Sequence, residues 1–158
     1  GNGILWQYDG AAAKWVVQNR PTFSDATARD AAIPFPTAGT VAVTGSDVTL
    51  IEWRYTGVAW RLWTGNPAFT YAAGFSAYTG SGWSGMSLSV RGGMCTVNGA
   101  FAATSWSALA TVLTLPTTCW PAKKTAGHNG EANPDGTVKV ADAGASAASL
   151  MVTWPIAI

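Results

Sequence analysis

Charge is scarce in this chain. Only 11% of its 158 residues are Asp, Glu, Lys or Arg, against 48% hydrophobic residues. The 9 basic and 8 acidic residues leave a formal net charge of +1, and apart from Lys123-Lys124 the basic ones are scattered. Nucleic-acid binding by phosphate neutralisation needs a clustered positive surface, so it is not expected. Histidine is almost missing too: His128 is the only one, and any Ser-His-Asp site would have to be built around it. Gly82-Trp83-Ser84-Gly85-Met86 does not make a nucleophile elbow, because Met86 stands where glycine is required. Two cysteines, Cys95 and Cys119, do not make a disulfide framework. Cys95 falls on the apolar side of an alternating segment, which favours a buried thiol over a bridge to Cys119. No apolar run is long enough to span a bilayer, and no basic-then-apolar leader opens the sequence, so membrane insertion is not expected. The first residues, Gly1-Asn2-Gly3, lack methionine, which fits either initiator removal or excision from a longer protein.

Paired carboxylates are also lacking. Glycan cleavage needs two of them at a fixed separation. Most acids here sit in turn sequences such as Asp9-Gly10 and Asp135-Gly136, while Asp30 and Glu52 stand alone. His128 shares one segment with Glu131 and Asp135, where a cation site is conceivable, but a Gly/Pro/Asn-rich stretch of this kind reads better as a solvated loop. The expectation is a non-enzymatic protein with no catalytic residues, no metal and no cofactor.

What the chain does have is glycine, tryptophan and alternation: 18 Gly and 9 Trp. In the stretch from Met86 to Lys123, Met86, Leu88 and Val90 share one face before Gly92-Gly93, and Cys95, Val97 and Phe101 share one after it. Alternation is the period of a half-buried strand, and a glycine pair suits a two-residue turn with positive φ, so a tight hairpin is predicted. A polar Ser/Ala interval follows, then the strand Val112-Leu113-Thr114-Leu115, ended by Pro116. Residues 126–136 read as a polar loop, Thr137-Val138-Lys139-Val140 as a strand with Lys139 outward, and Leu150, Val152 and Trp154 as the core face of a closing strand.

Nearer the N-terminus the text repeats. Trp6-Gln7-Tyr8-Asp9-Gly10 with Trp15, Pro21 and Phe23 matches Trp53-Arg54-Tyr55-Thr56-Gly57 with Trp60, Pro67 and Phe69. Between the copies, residues 24–33 form the one convincing helix, capped by Ser24 or Asp25 and ended by Pro34. Gly65-Asn66-Pro67 and the Gly/Ser-rich run 79–85 bracket a domain boundary placed near Gly65. The predicted fold is all-β: a small N-terminal β-hairpin module with one short helix over residues 1–65, then a jelly-roll-like antiparallel β-sandwich over 66–158.

Val97-Asn98-Gly99, Leu113-Thr114-Leu115-Pro116 and Trp120-Pro121-Ala122 occur in an order that resembles the C-terminal β-sandwich of bacteriophage tail-fibre and receptor-binding proteins. Thr118-Cys119-Trp120 departs from the Gly, aromatic and basic residues more usual ahead of that last proline. Ala28-Arg29-Asp30-Ala31, Pro36-Thr37-Ala38-Gly39 and Tyr55-Thr56-Gly57-Val58-Ala59-Trp60 resemble a small module common in phage tail and fibre proteins. The resemblance implies a homotrimeric virion protein, assembled in the host cytoplasm, that contacts other virion proteins and binds a host-surface saccharide. The alternative it leaves open is a structural subunit, such as a head fibre, capsid decoration or tail-tip protein. Aromatic rings stack on the C–H faces of sugars as readily as they pack in cores. Trp83 and Trp106, in segments that read as loops, and Trp120, beside Pro121, are the candidate glycan-binding residues. Trp6, Trp53, Trp60 and Trp154 alternate with apolar neighbours and are expected in packing.

Overall fold

Alternation and glycine turns fold as sheets. The computed structural model describes residues 5–9, 14–17, 20–45 and 50–156, which are mostly β-strand with one α-helix. The chain divides into two units, Gly1–Gly65 and Asn66–Ile158.

In the first unit, β1 (Trp6–Asp9) pairs antiparallel with β2 (Lys14–Val17), which sets Tyr8 opposite Trp15. The Asp9-Gly10 and Gly45-Ser46-Asp47 turns of the sequence reading extend outside the described residues. Next come β3 (Thr22–Phe23), helix α1 (Ala26–Ala32) and β4 (Val41–Thr44). Asp25 caps α1: its Oδ1 accepts the Ala28 N–H at 2.9 Å, and that bond holds the Asp25 carboxyl below its usual range. Strands β3 and β4 run parallel, with Thr22 beside Val43. A hairpin cannot connect parallel neighbours, so the segment carrying α1 serves as the crossover. Strands β5 (Ile51–Tyr55) and β6 (Trp60–Gly65) extend this sheet antiparallel and set Tyr55 opposite Trp60. The sequence repeat is thus a repeated Tyr-opposite-Trp hairpin.

Two of the three motif segments of this unit meet at Arg29. Its buried guanidinium lies 4.6 Å from the ring centre of Trp60 and 4.9 Å from that of Trp53. Nε and Nη2 both reach Asp30 Oδ1 at 2.8 Å, while Nη1 is buried without a hydrogen-bond partner. Trp53 is oriented by its indole N–H, which donates to Thr44 Oγ1 at 2.7 Å. The turn after Pro36 is tied to the same hairpin, because the Gly39 N–H donates to the Tyr55 carbonyl and the Tyr55 N–H to that of Thr40. A planar cation over two indoles is a contact that an ammonium cannot reproduce. Arg29→Lys is therefore expected to destabilise this unit by about 1–2 kcal/mol. An unchanged thermal midpoint in the variant would show that the stack contributes nothing.

The second unit is antiparallel throughout. Its strands are β7 (Thr70–Tyr71), β8 (Ser76–Ala77), β9 (Met86–Arg91), β10 (Met94–Trp106), β11 (Thr111–Thr114), β12 (Thr125–Gly127), β13 (Gly130–Ala132), β14 (Thr137–Val140) and β15 (Gly144–Pro155). Strand β10 is central to one sheet, flanked by β15 on one edge and by β9 and then β8 on the other. The second sheet runs β12-β13-β14-β11-β7. Gly92 and Gly93, at φ 59° and 78°, close the β9–β10 hairpin as the two-residue turn predicted.

Two inward faces make a sandwich core. The β10 sheet buries Val90, Val97, Phe101, Leu150, Val152 and Trp154, and the other sheet buries Val112, Leu113, Val138 and Val140. Neighbouring Val112 and Leu113 are both buried because a register shift between Thr111 and Leu113 bulges β11. The Trp154 indole N–H donates to the Cys119 carbonyl at 2.8 Å. Cys95 and Cys119 are both free and buried, and the neighbouring Cys119 thiol together with burial pushes the Cys95 thiol up.

Two stretches expected to be loops are strands instead. β10 continues from Phe101 through the Ser/Ala interval to Trp106, and residues 125–132 form the β12–β13 hairpin. Small side chains such as Ala102 and Ala103, opposite Ala147 and Ser146, carry no hydrophobic period, but the backbone ladder does not need one.

Candidate functional site

Two grooves lie on either side of Ala147 and Ala148 in β15. The first, about 500 Å³, is walled by Trp106 and by His128, Asn129 and Asp142. The second, about 280 Å³, is walled by Tyr78, Ser81 and Trp83.

Three strand ends build the first groove. Trp106 closes β10 at an irregularity in its pairing with β15, opposite Gly144. The indole N–H donates to the Asp142 carbonyl at 2.9 Å, and the ring fills the space that a Cβ on Gly144 would need. Phe101 and Phe75 support it, with ring centres 5.2 and 6.3 Å away. The wall is therefore held in place before any ligand arrives. On the other side, the tip of the β12–β13 hairpin docks on β15: His128 N–H donates to the Met151 carbonyl at 2.8 Å, and Met151 N–H returns the bond at 3.0 Å. Asn129 takes a left-handed conformation, φ 51°, that asparagine tolerates better than most residues. Its Nδ2 donates to the Ser149 carbonyl at 3.0 Å, whereas its buried Oδ1 has no hydrogen-bond partner.

The second groove rests on a turn. Ser81 and Gly82, at φ 54° and 83°, reverse the chain, and the Trp83 N–H closes that turn on the Gly80 carbonyl at 3.1 Å. Trp83 is left 42% exposed. Tyr78 is anchored through its backbone, with its N–H donating to Ala100 and its carbonyl accepting from Gly85.

Trp83 and Trp106 are thus brought to the two sides of one strand segment. Trp120 lines neither groove: its indole N–H donates to the Leu115 carbonyl at 3.1 Å, and its ring lies where a side chain on Gly136 would be. Trp154 is fully buried, while Trp53 and Trp60 stack on Arg29. The carboxylates near His128 are spent locally. Glu131 pairs with Lys124 at 2.6 Å, a contact that lowers its pKa, and Asp135 accepts from the Thr137 hydroxyl and N–H, which lower its own. Among the described residues no three His, Cys, Asp or Glu side chains are placed to hold a metal ion, and no helix is long and apolar enough to cross a membrane.

Tyr78, Asn129 and Asp142 are site residues that sequence reasoning passed over. Asn129-Gly130 was a usable turn signal, but its flanks, Thr125-Ala126-Gly127 and Gly130-Glu131-Ala132, have too little apolar content to read as strands. Comparison of the chain with protein-family models, curated proteins and solved structures returned no match.

Proposed function

We propose that this chain is a non-enzymatic bacteriophage fibre or receptor-binding protein whose C-terminal sandwich attaches the virion to a host-surface saccharide. The observation that carries the reading is the pair of tryptophan-walled grooves on an all-β scaffold, with a preset aromatic ring in the larger one. Indole walls stack on sugar C–H faces, and the polar groups around them bond hydroxyls. A millimolar site contributes only about 4 kcal/mol. Presentation in several copies adds roughly 10²–10⁴ in avidity, which is what a homotrimer on the virion would supply.

The direct test is adsorption of the purified chain to a panel of bacterial strains. Trp83→Ala and Trp106→Ala, each checked for native folding, are expected to lower adsorption about tenfold or more. Undiminished adsorption by both folded variants would remove these grooves from the function. The trimer is tested separately by light scattering: three times 16.3 kDa is expected, and a monomer at working concentration would overturn it.

One observation favours a structural virion subunit as the second reading. Phe35 and Val58 of the first unit are 83% and 88% exposed, an apolar surface that would suit a protein partner. A chain that adsorbs to no strain but binds a purified virion protein through this surface would place that reading first.

A further inference from the structure

Strand β15 ends its sheet, so only one of its two edges is taken up by a neighbouring strand, β10. Successive residues of an antiparallel strand turn their N–H and C=O groups to alternate edges. Met151 fixes the sides: it exchanges both bonds with His128 and therefore faces outward, away from β10. Ser149 obeys the same alternation, its carbonyl accepting from Asn129 Nδ2 at 3.0 Å. Ala147 and Ala145 then face outward too, while Ala148 and Leu150 bond across to Phe101 and Gly99. Among the described residues, the outward N–H and carbonyl groups of Ala145 and Ala147 have no hydrogen-bond partner.

Both alanines line the Trp106 groove. Edge strands are commonly shielded by lysine, proline or a covering segment. Here the β12–β13 tip covers the edge at Ser149 and Met151 and stops, and the residues before it carry only Gly, Ala and Ser side chains. At the other end the strand begins at Gly144, under the Trp106 ring. The bare stretch from Ala145 to Ala147 rises by about 7 Å. A partner strand is usually about 5–6 residues long and would run into the His128 tip. One sugar ring fits the gap, and a hydroxyl both donates and accepts, as a strip of alternating N–H and C=O groups requires. No Lys or Arg lines this groove, so an anionic sugar would find no cation there and would meet the Asp142 carboxylate as like charge.

Resting on the saccharide reading above, we infer that the Trp106 groove is a site for a single uncharged sugar ring, whose hydroxyls are held by the main-chain edge of β15 at Ala145 and Ala147 with the ring beside Trp106. Recognition lies in backbone groups, so no polar side chain is needed for it. The Trp83 groove takes no part in this contact.

Amide shift mapping of the ¹⁵N-labelled full chain tests this, with neutral hexoses, 6-deoxyhexoses and N-acetylhexosamines, their uronic-acid counterparts, and an extended Ala/Ser peptide as probes. At least one neutral sugar is expected to move the Ala145 and Ala147 amides and the Trp106 indole N–H saturably, while the Ala148 and Leu150 amides, which face β10, stay in place. Ala147→Pro removes one outward N–H without breaking a ladder bond, a substitution that edge strands tolerate, and should weaken binding about tenfold. Ala147→Ser keeps that N–H and should bind as the wild type does. If Ala147→Pro does not fold, the wild-type shifts decide alone. Equal binding by a folded Ala147→Pro, preference for uronic acids, or affinity that climbs steadily with saccharide length would each overturn the inference. If the peptide and not the sugars moves these amides, the edge adds a strand and the inference falls. If sugars move only residues of the Trp83 groove, it falls and the saccharide reading stands. If no sugar moves either groove it falls as well, and if no strain adsorbs the chain the saccharide reading falls with it.

Discussion

Replacing Trp154 by alanine is expected to cost about 3–5 kcal/mol of stability, the usual range for emptying a fully buried tryptophan site. Trp154 has no exposed surface, stands opposite Cys95 across the β10–β15 ladder, and holds the Thr117–Cys119 turn through its bond to the Cys119 carbonyl. Three elements distant in sequence therefore lose a common support. Trp154→Phe separates the contributions: it refills most of the volume but leaves that carbonyl without its donor, for about 1–3 kcal/mol. Urea unfolding of both variants measures the difference. If the two variants lose equal stability, volume is not what matters at this position. If Trp154→Phe matches wild type, the indole hydrogen bond adds nothing.

Gly99→Ala is expected to lower stability by about 3 kcal/mol or more, through backbone strain and overpacking together. Gly99 sits mid-strand in β10, between Met86 of β9 and Leu150 of β15, at φ 138°, where L side chains are rarely found. A methyl group there would collide with the Gly85 carbonyl oxygen and lie 2.8 Å from the Met86 Cα. Both obstacles are backbone, so no rotamer change relieves them. The contrast is Gly92 in the same hairpin, at φ 59° with open space where its Cβ would be. Gly92→Asn should be nearly neutral, since asparagine tolerates the left-handed region. Circular dichroism with urea titration of the pair decides it, and equal stability for the two variants would refute the steric account.

Gly99 also shows how much of the molecule could be read in advance. It was visible as part of Val97-Asn98-Gly99, a mark of resemblance, yet nothing local says that the β9 backbone closes over it. The hairpin was legible because Leu88, Val90, Cys95 and Val97 alternate about Gly92-Gly93, and a one-residue slip would turn that whole set outward. The helix cap, read as Ser24 or Asp25, and the repeated Trp-x-Tyr-x-Gly text were legible for the same reason: each is a short-range pattern. Where side chains are small and polar, as in the Ser/Ala interval and around His128, the period vanishes and the strands went unseen.

By itself the sequence determined an all-β chain with one short capped helix and a glycine-turned hairpin. Binary patterning and turn chemistry act over a few residues and do not wait for the rest of the fold. Only the tertiary structure decided which tryptophans line grooves. Trp83 and Trp106 flank Ala147 and Ala148 because β10 and β15 pair in one register and the β12–β13 tip bonds to Met151, contacts between residues far apart in the chain. Trp120 carries the same ring into a different setting, over Gly136 and bonded to Leu115. An indole has one donor and two faces, and whether they are spent on packing or left for a ligand depends on neighbours that pairing register brings to it.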